Sequence, residues 1–293
     1  EALFNGHPYG RSADGTTDSI TAITADDLRS FVAQRLTRDT LVIGVVGSIA
    51  PAELAKLLDA TFGTLPAQGT DWRVPKVRAN TDGRTIVIDK DVPQSAILFA
   101  DQGPLRDDPD FYAAYVMNHI LGGGGFTSRL YREVREKRGL AYTISSGLNP
   151  RRASATTVVG AGTANARVHE TLDVVKTEWR RMAENGVDDD ELKDTKTYLT
   201  GAYPLQFTGS ARIARMLVGI QLAELGIDYV KNRNAFINAV TRDDIMRVVG
   251  DLLTPDALRI VVVGKPEGIE ADRVVPLGAD ILEALDAEPV SGS

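Results

Sequence analysis

Two side chains in one short stretch of this 293-residue sequence are suited to hold a carbonyl oxygen: Arg135 and Tyr142, seven positions apart in GGGGFTSRLYREVREKRGLAY, residues 122–142. A guanidinium presents five N–H donors in a planar fork and a phenol adds one O–H donor, a set that fits carbonyl or carboxylate acceptors. The pattern predicts a short basic helix, Ser128–Arg138, with Arg135 in its last turn and Gly139 stopping it. A strand follows, with Tyr142 expected on the face shared with Leu140 and Ile144. On that geometry both donors point into one cleft beside the strand. The same five cations (Arg129, Arg132, Arg135, Lys137 and Arg138) against Glu133 and Glu136 also fit a solvated helix face laced by i,i+3 and i,i+4 ion pairs.

Other chemistries find less support. The run Gly122, Gly123, Gly124, Gly125 before a helix invites an anion-binding reading. It continues Phe-Thr-Ser-Arg rather than Gly-Lys-Ser/Thr and follows a helix, so it is read as a flexible reversal, capped by Thr127 or Ser128. The three histidines, His7, His119 and His169, form neither His-Glu-x-x-His nor its inverse, so no metal site is expected on this chain. No Gly-x-Ser-x-Gly elbow occurs. Without cysteine there is no disulfide, thiolate ligand or thiol nucleophile, which suits a reducing cytoplasm and an oxidising periplasm equally.

The elements that must position the pair read as alternating helices and strands. Asp18–Leu36 is expected as a helical region with a cap at Thr24, Leu41–Val46 as a buried strand, and Pro51 as the start of a helix ending at Gly63. A proline-bearing linker spans 65–80. Strands are expected at Thr85–Ile88 and Ser95–Phe99, and a helix from Asp108-Pro109 to Leu121. Two strands, Leu140–Gly147 and Ala155–Ala161, surround an Asn-Pro-Arg-Arg turn, and a helix from about Asn165 ends at Asn185-Gly186.

Net charge is −7, and residues 267–293 hold seven acids against one base, leaving a nearly neutral body. That balance gives no ground for nucleic acid as a partner. No apolar run approaches the roughly 20 residues needed for a membrane span.

An internal repeat organises the rest. Residues 22–47 (AITADDLRSFVAQRLTRDTLVIGVVG) align without a gap on 239–264 (AVTRDDIMRVVGDLLTPDALRIVVVG) at an offset of 217, matching Thr24 with Thr241, Asp26-Asp27 with Asp243-Asp244, and Gly47 with Gly264. Two domain endings but one complete domain are expected: residues 1–70 as the C-terminal part of a first repeat domain, 71–266 as a complete second one, and 267–293 as an acidic tail. The offset would start the first domain about 146 positions upstream of this sequence.

LGGGGFTSRLYREVREKRGLAY, with HPYGR near the start, VPQS, and the paired ITADDL and VTRDDI endings, resembles the pitrilysin/insulinase family of zinc metallopeptidases and their processing-peptidase relatives. The resemblance implies an α+β protein of two homologous α/β-sandwich domains (LuxS and processing-peptidase type), the first truncated. It implies that Arg135 and Tyr142 bind the backbone of a substrate peptide across a clamshell. The family's zinc motif lies on the first domain. Its counterpart in the second, Tyr115–His119, lacks the first His and the Glu, so zinc is expected on a partner subunit or in an upstream region. The pattern is most like the zinc-less, Arg/Tyr-bearing subunit of bacterial two-subunit members, which implies a zinc-bearing homologous partner in a heterodimer, or else a homodimer, and a periplasmic or secreted location, the cytoplasm remaining open. Two rival roles are a non-catalytic assembly subunit, as in the core proteins of the bc1 complex, and a peptide-holding chaperone.

Overall fold

The computed structural model describes residues 2–276. Two compact units are present. Among the described residues, one comprises 2–10, Pro75–Thr200 and 234–276; the other comprises Arg11–Val74 and Gly201–Arg233.

The first unit is built on a six-stranded mixed sheet: β1 (Thr85–Asp89), β2 (Gln94–Gln102), β3 (Ala141–Pro150), β4 (Ala155–Ala164), β5 (Arg259–Gly264) and β6 (Arg273–Pro276), in the order β3-β4-β2-β5-β1-β6. β1 runs parallel to β5 and β6; β2 is antiparallel to β4 and β5, and β3 to β4. Alternation along β2 and β4 puts Ile97, Phe99, Val159 and Ala161 into the core, where they meet Ala114, Met117, Trp179, Ile245 and Val249 from three helices. Those helices are α4 (Phe111–Asn118), α5 (Val168–Asn185) and α9 (Arg242–Leu252). Residues of the alternate register, Leu98, Val158 and Gly160, stay at least partly exposed, as a sheet covered on one face requires. The expected first-turn position of Pro109 is not observed: α4 starts at Phe111, and Pro109 lies in the turn before it.

β6 falls inside the stretch expected as a tail. Its Val274 and Val275 pair with Val87 and Ile88, and Val275 is buried, so hydrophobic pairing prevails over the local acidity. The remainder of that stretch, 277–293, lies outside the described residues.

The second unit carries α1 (Thr17–Ala22), α2 (Ala25–Arg35), α3 (Pro51–Phe62) and α7 (Ser210–Leu222). The repeat is visible here in atomic detail. α2 and α9 each have 11 residues, and each starts with a capping box, Thr24–Asp27 in one and Thr241–Asp244 in the other. Asp27 and Asp244 each accept from the cap N–H at 2.9 Å and from the cap hydroxyl at 2.6 Å. Burial is where the twins part. Ile245, Val248, Val249, Leu253 and Leu258 are 0–5% exposed, while their counterparts Leu28, Phe31, Val32, Leu36 and Leu41 are 37–60% exposed. The strand expected at Leu41–Val46 is accordingly not formed. Its counterpart β5 is paired on both sides, whereas among the described residues no strand pairs with 41–46, and a β-branched run without a ladder does not hold as a strand.

Candidate functional site

The glycine run is packed rather than loose. α4 continues into a π-helical turn, His119–Gly123, closed by Gly124 N–H donating to His119 O at 2.8 Å. A Cβ on Gly122 would lie 2.6 Å from Ser146 Oγ and 2.8 Å from Ser146 N; one on Gly123 would lie 2.8 Å from Asn118 Nδ2, and one on Gly124 2.7 Å from His119 O. Glycine is required there by close approach to β3 and to the preceding helix. Only Gly125, at φ +60°, is in the left-handed region. Thr127 and Ser128 do not cap the next helix through accepted N–H bonds: their hydroxyls donate backwards, to Gly124 O at 3.1 Å and Gly125 O at 2.8 Å.

The basic segment follows as a second π-helical turn, Tyr131–Glu136. π turns embedded in helices often mark functional sites. Gly139, at φ +59°, reverses the chain, with its N–H on Arg135 O at 3.0 Å and that of Leu140 on Val134 O at 2.8 Å. β3 then opens with a register shift between Ala141 and Thr143. This bulge corrects the expected facing of Tyr142. Leu140 and Ile144 are buried, but Tyr142 is 77% exposed, because the extra residue breaks the two-residue alternation and re-aims the ring.

Four of the five cations have carboxylate partners. Arg129 is buried and grips Glu191 with both ends of its fork, Nε–Oε1 at 2.7 Å and Nη2–Oε2 at 2.5 Å, while donating to Gly186 O at 2.9 Å. Arg132 lies 3.7 Å from the same carboxylate. Lys137 and Arg138 share Glu133 at 2.6 and 2.7 Å. Burial would raise both glutamates, but hydrogen bonds and charges from these cations outweigh it and hold each below the ordinary value.

Arg135 is the fifth, and it is held differently. Its guanidinium carbon stands over two rings, 4.9 Å from the Tyr131 centroid and 4.6 Å from that of Tyr142, in cation–π contact with both. Among the described residues no carboxylate pairs with it. The structure thus brings Arg135 and Tyr142 into contact, oriented by π faces, with the guanidinium's N–H edge uncommitted. Tyr131, buried to 8% exposure, was not singled out from sequence. Its position one helical turn before Arg135 was the available signal.

The zinc-helix counterpart does not fit zinc. Asn118 is buried and takes a hydrogen bond from Ser146 Oγ at 2.7 Å. His119 stacks on Tyr198 with ring centroids 5.3 Å apart, and burial lowers its pKa. His7 donates from Nε2 to Pro75 O at 2.9 Å and accepts at Nδ1 from Tyr9 N–H at 3.2 Å, and His169 lies 3.3 Å from Asp173. Among the described residues no group of three or more His, Cys, Asp or Glu could hold a metal ion.

Residues 22–199 match the family model described as the peptidase M16 inactive domain. The chain belongs to the peptidase M16 family. This M16 chain is 29% identical over 260 residues to an uncharacterized zinc protease of Streptomyces coelicolor, covering 86% of the chain and 56% of the relative. It is 31% identical over 203 residues to one of Mycobacterium leprae, covering 68% and 45%. The chain therefore spans about half the length of the curated relatives it matches. The crystal structure of a peptidase M16 inactive domain from Pseudomonas fluorescens superposes with a TM-score of 0.83 at 28% identity, over 92% of this chain and 64% of that one. A chain of complex III2 from Candida albicans shares the fold, with a TM-score of 0.76 at 19% identity, over 92% and 66%.

Proposed function

We propose that this M16 chain is the substrate-holding, zinc-less half of a zinc endopeptidase, lending Arg135 and Tyr142 to a peptide cleft. The observation that carries the reading is Arg135: its four neighbouring cations are paired two by two with Glu133 and Glu191, while its own guanidinium contacts two aromatic rings and is left free to donate. A peptide carbonyl, and the negative charge that grows on it as the bond is attacked, suits such a preorganised donor. Tyr142 is exposed beside it and supplies a second donor. Zinc chemistry, including activation of water, belongs in this reading to a zinc-bearing homologous chain, with peptides as the substrates.

The test is turnover of a quenched peptide by the assembly of this chain with its zinc-bearing partner. Arg135→Ala should cost about 10²–10³ in kcat. Arg135→Lys should restore little, because an ammonium has no planar fork to lie between two rings. Unchanged turnover in Arg135→Ala rules the role out. A chain that neither supports cleavage nor binds peptides, and co-purifies with membrane redox subunits, would instead be an assembly subunit.

A further inference from the structure

We propose that Phe126 and Tyr131 form an aromatic subsite that takes an apolar side chain, preferentially an aromatic one, from the same extended peptide whose carbonyl Arg135 receives. The inference rests on the peptide-holding reading and adds a side-chain specificity to it.

Phe126 is 71% exposed, yet it is not a ring loose on a surface loop. It sits edge-on to Tyr131, centroids 4.9 Å apart at 87°, the favoured T-shaped arrangement. Tyr131 in turn backs Arg135, which backs Tyr142, so the four groups form one continuous row of contacts. The turn that displays Phe126 is fixed from both sides. Ser128 N–H and Oγ both bond Gly125 O, Thr127 Oγ1 bonds Gly124 O, and the three preceding glycines have no room for a Cβ. Isolated exposed apolar residues are ordinary on protein surfaces. A large apolar ring set edge-on against Tyr131, in a row of contacts that includes an uncommitted guanidinium, is a preorganised contact.

The occupant follows from the spacing. Phe126 and the Arg135 guanidinium both lie within 4.9 Å of the Tyr131 ring. An extended chain rises about 3.3 Å per residue with side chains on alternate sides. Phe126 and Arg135 are thus no more than about three residues of extended chain apart, so a peptide whose carbonyl meets Arg135 brings a side chain within three residues of it over Phe126. The three rings and one cation offer no carboxylate, which disfavours a basic side chain at that position, whereas an aromatic one gains a ring contact with Phe126.

Calorimetric titration of the chain with peptides identical except for Phe or Ser, scanned along the sequence, tests this. One position should prefer Phe by about two- to tenfold, the range of a single aromatic pair. Phe126→Ala should abolish that preference and Phe126→Trp should keep it; the exposed ring contributes little to folding, so both variants remain folded. Arg135→Ala should weaken the Phe and Ser peptides alike. Arg135-dependent binding without any side-chain preference, or a preference surviving Phe126→Ala, overturns the subsite and leaves the peptide-holding reading in place. Failure of every peptide to bind overturns that reading and the subsite with it.

Discussion

Replacing Glu191 by Gln should destabilise the fold far more than a residue in the first turn of an exposed helix normally does. Arg129 is 5% exposed and has its counter-charge in Glu191 alone, through contacts of 2.7 and 2.5 Å. Glu191→Gln preserves shape but leaves a buried guanidinium without an anion, a loss of about 3–5 kcal/mol. Arg129→Met is milder, about 1–3 kcal/mol, since Glu191 keeps Arg132 at 3.7 Å and the Asp188 N–H at 3.1 Å. Replacing both by Met should cost less than the two losses added, because neither partner is then stranded. Urea unfolding followed by the fluorescence of Trp179, which is fully buried, reports the change. With a slope of about 1–3 kcal/mol per molar, the Glu191→Gln midpoint should fall by about 1 M or more. Acid adds a second readout. The folded carboxyl titrates below the usual 4.5, so its stabilisation is present above 4.5 and lost as pH falls through the lower folded value. That part of the acid limb should be absent in Glu191→Gln. A loss below about 1 kcal/mol would refute the reasoning, by showing that water reaches the pair.

Gly122→Ala should cost about 1–3 kcal/mol in thermal unfolding, since its Cβ would meet the Ser146 backbone, whereas Gly147→Ala, with nothing within 4 Å, should stay within about 0.5 kcal/mol. Thr241→Ala should cost about 0.5–2 kcal/mol of global stability through the lost cap. The Asp244 carboxyl, held down to about 2 by the Thr241 hydroxyl and N–H and then by Arg247, should move upward in the same variant when followed by NMR. Stability from that group is present above its usual 3.8 and is lost as pH falls through about 2.

The helices and strands of the first unit were legible because their periodicity, caps and stop signals are local. Thr24, Gly139 and Gly186 act where their chemistry implied, the last at φ +62° after α5. What was not legible depended on partners distant in sequence. Arg129 reads as one more solvated cation until Glu191, 62 residues on, buries it. Leu41–Val46 has every mark of a strand except the neighbours that make one. The bulge at Tyr142 has no residue signature, so strict alternation assigned the ring to the wrong face. The juxtaposition of Arg135 and Tyr142 was readable as proximity, but its form, a cation between two rings, depends on a helical turn widened beyond the α pattern.

The twin helices α2 and α9 make the molecule its own control. They share length, cap chemistry and capping-box geometry, yet one lies bare and the other is sealed into the core beside α4 and α5. Capping cancels when the two are compared and propensity differs by about 1 kcal/mol per residue at most, as at Gly250 against Ala33, so a large gap between their amide protection factors reports tertiary packing, read within one chain, one sample and one experiment.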